Sequence, residues 1–103
     1  MDYRTELATV TANTTVSQDT DIFASDFQVK RAGNLVRISI QATSALTMNL
    51  VPNTGSPIHL GALSANLVST FELALDQGRT FNLQSGTAGD NTLEFCCIQE
   101  VQQ

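Results

Sequence analysis

The sequence predicts an all-β fold: a single-domain antiparallel β-sandwich of jelly-roll or Greek-key type, with an immunoglobulin-like arrangement as the alternative. Three observations predict it. Apolar and polar residues alternate at period two over several short runs, as they do in half-buried strands. Clusters of Gly, Pro, Asn, Asp and Ser separate those runs at spacings typical of turns. Helical spacing is absent: the nearest candidate, residues 60–75, carries Val68, Ser69 and Thr70, and its second half alternates cleanly. The Cys–Trp–Cys hallmark of immunoglobulin domains is missing, because the chain has no tryptophan.

The clearest strands lie in the middle of the chain. Val36, Ile38 and Ile40 alternate with Arg37, Ser39 and Gln41, and Leu46, Met48 and Leu50 alternate with Thr47 and Asn49. Two such runs joined by small polar residues predict a hairpin. Before them, residues 1–18 read as an N-terminal arm or edge strand and residues 19–103 as the sandwich. Ala8, Val10 and Ala12 alternate with Thr9, Thr11 and Asn13, which suggests a strand with a weak apolar face, preceded by a mobile stretch over residues 1–6. Phe27-Gln28-Val29 is a short strand, and residues 31–34 turn it, with Gly33 and Asn34 able to take positive φ. Residues 52–57 form the plainest loop, with two prolines around a polar centre.

After that loop, residues 58–63 form a short strand and residues 64–66 a turn. Residues 67–75 form a long strand with Phe71, Leu73 and Leu75 on one face. Gly78 turns the chain into a strand at 79–84 that carries Phe81 and Leu83 inward. A small-residue loop at 85–91 leads to the closing strand at 92–101, with Leu93, Phe95 and Cys97 expected on one face. Val36, Ile38, Ile40, Phe71, Leu73, Phe81 and Phe95 are the expected core.

The totals narrow the function classes. The 103 residues fit one domain, which at this size buries roughly 65% of its unfolded surface and needs no metal or disulfide staple. Charged residues make up only 15%, against ~25% in an average soluble domain. Hydroxyls and amides supply the polarity instead, and a neighbour covers such a surface at lower desolvation cost than a charged one. The net charge of −5 and a pI near 4.4, with the basic residues scattered, argue against nucleic-acid binding. No apolar run approaches the ~20 residues of a membrane helix, and the start lacks a basic-then-apolar signal pattern. The chain is therefore expected to be intracellular at synthesis, with no membrane partner.

Residues that could carry chemistry are few. His59 is the only histidine and reads as an exposed strand residue, since a general base needs an orienting carboxylate and a nucleophile. Asp19, Asp21 and Asp26 supply acidic oxygens without the glycine and later bidentate glutamate of a calcium loop. Glu72 and Glu94 fall on different strands with too few aromatics around them for a glycosidase site. Gly86 and Gly89 follow a strand but precede no helix, so they form no phosphate loop. Cys96 and Cys97 are neighbours, for which disulfide geometry is hard to reach, and they read as free thiols. No catalytic residue, cofactor or metal ligand is expected. Residues 1–18 hold too few aliphatic anchors to offset the entropy of ordering them, yet they can add as a strand to a sheet edge. Leu7, Thr9, Val10 and Thr11 are therefore the candidate partner-binding residues.

From Phe27 to Val101 the chain resembles the small β-sandwich auxiliary proteins of tailed-bacteriophage heads, the decoration or cement proteins. The likeness is carried by Leu35-Val36-Arg37-Ile38-Ser39-Ile40 after a Gly-Asn turn, by Ser69-Thr70-Phe71-Glu72-Leu73-Ala74-Leu75 with the Asp76-Gln77-Gly78 turn, and by Phe81-Asn82-Leu83-Gln84 followed by Leu93-Glu94-Phe95. It covers about three quarters of the chain as a pattern. The resemblance implies a non-enzymatic structural virion protein, made in the host cytoplasm. It further implies self-association, commonly as a homotrimer, and binding to the major capsid protein on the outer surface of the head. The alternative is a carbohydrate- or receptor-binding sandwich of a virion fibre or surface appendage.

Overall fold

The computed structural model describes residues 4–102. Its strands are β1 (Arg4–Val10), β2 (Thr14–Ser17), β3 (Phe27–Gln28), β4 (Leu35–Ala42), β5 (Leu46–Pro52), β6 (Ile58–Leu63), β7 (Ser69–Ala74), β8 (Thr80–Ser85) and β9 (Asp90–Val101). One sheet, here called A, runs β1-β9-β4-β7, with β2 continuing the β1 edge along β9; the other, B, runs β3-β8-β5-β6. Every pairing between these strands is antiparallel. The partners nest about the loop at 53–57: β5 with β6, β4 with β7, β3 with β8, and β1 and β2 with β9. A long hairpin rolled up in this way is the jelly roll, which settles the choice among the sandwich arrangements.

The alternation of the central runs is as expected, but the hairpin is not. Val36, Ile38, Ile40 and Ala42 of β4 are buried, as are Leu46, Met48 and Leu50 of β5, yet β4 lies in sheet A and β5 in sheet B. The short corner at 43–45 carries the chain across the core instead of folding it back in one plane. The amide of Asn66 holds the corner by donating to the carbonyl of Ala42, and the amide of Thr43 donates to that of Thr92. Alternation fixes which side chains face inward. It does not say whether two inward faces lie side by side or opposite each other.

A second departure sits in β9. Gln41 pairs with Phe95 but Ala42 pairs with Leu93, so one extra residue is inserted at Glu94. A bulge of this kind reverses the faces beyond it. Leu93 points inward, and then Cys96, Ile98 and Glu100 follow it into the interior, all buried. Phe95 and Cys97, expected inside, lie half-buried on the outer face. Phe71 and Leu73 do face inward, opposite Ile38 and Val36. They are only half-buried because β7 is the edge of its sheet.

The N-terminal stretch is part of sheet A in this chain. Residues 4–6, expected to be mobile, begin β1 and pair with Val101, Glu100 and Gln99. Main-chain pairing with β9 supplies what side-chain burial alone does not. Leu7, Ala8 and Val10 pack against the core and Val16 lies within it. Residues 1–3 and 103 of these expectations lie outside the described residues.

The two sides of the sandwich differ. On one, the chain crosses from β2 to β3 along the edge of β8. Phe23 and Phe27 meet edge to face at 6.4 Å, and Phe27 lies 5.9 Å from Phe81. Asn82 stitches this crossing. Its Oδ1 accepts from the amides of Phe23 and Leu83, and its Nδ2 donates to the Phe23 carbonyl and to Asp26. On the other side, β6 and β7 are the last strands of their sheets, with no strand beyond them among the described residues, and Gly61 brings them close. A Cβ at Gly61 would lie 3.2 Å from the Phe71 ring.

Candidate binding face

The residues on which chemistry was conceivable are not brought together. His59 Nδ1 lies 3.0 Å from Oδ1 of Asn49, its neighbour on β5, and both side chains sit on the outer face of sheet B. In the tautomer with the proton on Nδ1, the ring donates to the amide oxygen; a neutral amide lacks the negative charge with which a triad carboxylate stabilises its imidazolium. Asp21 accepts from Gln84 at 2.7 Å and Asp26 from Asn82 at 2.8 Å, so each serves its own loop. Glu72 pairs with Arg37 at 3.3 Å, and Glu94, the bulge residue, accepts from Gln41 at 3.5 Å. Among the described residues no group of His, Cys, Asp and Glu forms a metal-binding cluster, and no pocket opens.

Burial gives the two cysteines different chemistry. Both are free. Removal from water, reinforced by the adjacent Cys97, pushes the Cys96 thiol up to about 12. A buried neutral thiol is a poor nucleophile and behaves as a small apolar side chain. Cys97 faces outward, where the hydroxyl of Thr9 reaches its sulfur at 3.9 Å.

What the fold does assemble is the outer face of sheet A. Register places its side chains in rows across the strands. One row runs Thr9, Cys97, Ser39, Thr70, with Ser39 and Thr70 hydroxyls 3.3 Å apart. The next runs Glu6, Gln99, Arg37, Glu72, and its Arg37 and Glu72 neutralise each other. Gln41 and Phe95 lie beyond the first row. The side chains of the central strands are short or half-buried, so the face is low in relief and contains few unpaired charges.

The four candidate partner-binding residues divide by direction. Leu7 and Val10 pack on the core. Thr9 belongs to the outer face, and Thr11 is exposed in the break between β1 and β2. The contribution of Ser39, Thr70 and Cys97 to the same face follows from cross-strand register and the β9 bulge, neither of which one strand's alternation reveals. Neither a protein-family model nor a curated protein sequence matches the chain.

Proposed function

We propose that the chain is a structural virion protein, a decoration or cement protein that lies on the outer surface of a bacteriophage head and stabilises it by bridging capsid subunits. The observation that carries this reading is the outer face of sheet A. Hydroxyl, thiol and amide groups cost less to cover than charged ones, and a flat face of short side chains allows close approach over a broad area. Thr9 on β1 extends that face to the sheet edge. Several copies acting together, as the resemblance to decoration proteins implies for a homotrimer, convert modest single contacts into tight attachment through effective concentration.

The test is sedimentation of the purified protein with heads that lack it, followed by thermal challenge of the loaded heads. The expected result is co-sedimentation and heads that release their contents at higher temperature. Ser39→Arg places a long charged side chain in the middle of the face and Thr9→Arg places one at its β1 edge, and both are expected to abolish binding while the fold is kept. Gln28→Arg, on the exposed end of sheet B, is expected to bind normally. Absence of binding by the unaltered protein, or full binding by both face variants, would sink the reading.

A further inference from the structure

All five basic and all ten acidic residues lie outside the run from Ile38 to Phe71, which contains no Asp, Glu, Lys or Arg. That run supplies the whole of β5 and β6 and the start of β7. The fold therefore gathers an uncharged surface on the open side of the sandwich, in a chain whose net charge is −5. The same side carries the exposed large apolar residues: Leu67 at 62%, Val68 at 57% and Ile58 at 38% of full exposure. Leu60 of β6 and Phe71 and Leu73 of β7 pack on the core without being fully covered.

The strand at this edge also carries neither a formal charge nor a proline. Sheet edges normally carry charges, prolines, bulges or very short strands that block pairing with another chain. β1 carries Arg4 and Glu6, β7 carries Glu72, and β3 has two residues. β6 reads Ile-His-Leu-Gly-Ala-Leu, and the bulge at Leu60 is its one blocking feature. One side of its backbone pairs with β5, and among the described residues no strand lies on the other.

The geometry points to a second copy of this chain as the occupant of the β6/β7 edge. Charge selects that occupant. Two copies of a chain with five net negative charges repel each other over most of their surfaces. They meet without that penalty where both are neutral, and on this molecule the neutral surface is also the apolar and unpaired one. An acidic partner would gain nothing there from its charges, and a basic partner would find no counter-charge. The inference deepens the decoration reading, since it names the surface through which copies associate.

Sedimentation velocity of the full chain at increasing concentration tests it. The unaltered protein is expected to sediment as an oligomer. Leu67→Lys with Val68→Lys is expected to return the mass to the 11.1 kDa of one chain. Both positions are exposed, so folding is preserved, and a thermal melt checks it. In the unaltered protein, the amides of β6 are expected to gain hydrogen-exchange protection as concentration rises. A monomer at every concentration overturns the inference, as does an oligomer unaffected by the two lysines or dissociated by Ser25→Lys on the opposite side. A monomer whose β6 amides become protected only on heads assigns the edge to the capsid protein and also overturns it. An oligomer that needs the edge but never binds heads leaves this inference standing and removes the decoration reading.

Discussion

Gly61→Ala is the most informative single change at the β6 edge. Gly61 follows the bulge residue of β6 and has a φ of +148°, a conformation that residues with a Cβ rarely adopt. Holding alanine there costs roughly 1–3 kcal/mol. The new methyl would also stand 3.2 Å from Cε1 of Phe71. Overpacking costs about 1–3 kcal/mol, and the Phe71 ring lies at an open edge where it can swing outward, so this second contribution falls near the lower end. Together they predict a loss of roughly 2–4 kcal/mol, which at an m-value of about 2 kcal/mol/M lowers the urea midpoint by about 1–2 M. The measurement is urea unfolding at one fixed protein concentration, because association raises apparent stability. Pairing the change with Phe71→Ala separates the two causes. In that background the methyl meets no ring, and Gly61→Ala is expected to cost about 1 kcal/mol less. A Gly61→Ala protein within about 0.5 kcal/mol of the unaltered one, the range of ordinary surface changes, would refute both the backbone conformation and the position of the ring.

Phe81→Ala, at a side chain 1% exposed and stacked beside Phe27, is expected to cost roughly 3–5 kcal/mol in chemical denaturation. Glu100 is buried and accepts from the amides of Lys30 at 2.8 Å and Arg31 at 3.1 Å. Glu100→Ala leaves those amides without an acceptor and is expected to destabilise by about 2–3 kcal/mol, with Glu100→Gln milder because it keeps one acceptor oxygen. Thiol titration is expected to return two fast thiols in denaturant, whereas the native protein shows Cys97 alone on the same timescale. Folding raises the Cys96 pKa from 9.0 to about 12, so above pH 9 the unfolded chain loses its proton first. The contribution of this group is constant below pH 9.0 and is lost as pH rises toward about 12, by at most about 1.4 kcal/mol per pH unit. Cys96→Ala is expected to remove that part of the slope. Deleting residues 1–18 is expected to unfold the protein, since it takes away β1, β2 and the core residue Val16.

The inward faces of β4, β5 and β8 were legible because period-two alternation there is uninterrupted. The pairing of β4 with β5 was misread because alternation is a property of one strand, whereas sheet membership depends on how the corner at 43–45 bends. Phe95 and Cys97 were assigned to the wrong face for a local reason: a bulge adds one residue, and nothing in Leu93-Glu94-Phe95-Cys96 marks where it goes. The N-terminal stretch looked too polar to order itself, and by side-chain burial it is. Its main chain completes an edge of sheet A, and that contribution is invisible to a count of apolar residues. The neutral run from Ile38 to Phe71 was present in the sequence all along. Its meaning emerged only when the roll placed much of it beside Leu67 and Val68 on one side of the molecule.

The place of β9 bears on how the chain is made. It is the last strand in chain order, yet it lies inside sheet A, between β1 and β4. As the polypeptide leaves the ribosome, β1 and β2 emerge first and find no neighbour, because theirs has not been translated. Sheet B is complete once β8 has emerged, and only then does the segment that joins the two halves of sheet A arrive. Folding of this protein is therefore deferred until translation has passed Val101, and the long-range pairing then required places it among slow-folding topologies, in the millisecond-to-second range. A nascent chain arrested before Asp90 is expected to remain protease-sensitive throughout β1 and β2. Until β9 is inserted, the edge of β4 that it will occupy stands unpaired, a template for misassembly while the chain is still being made, and the neutral β6 edge is exposed at the same time.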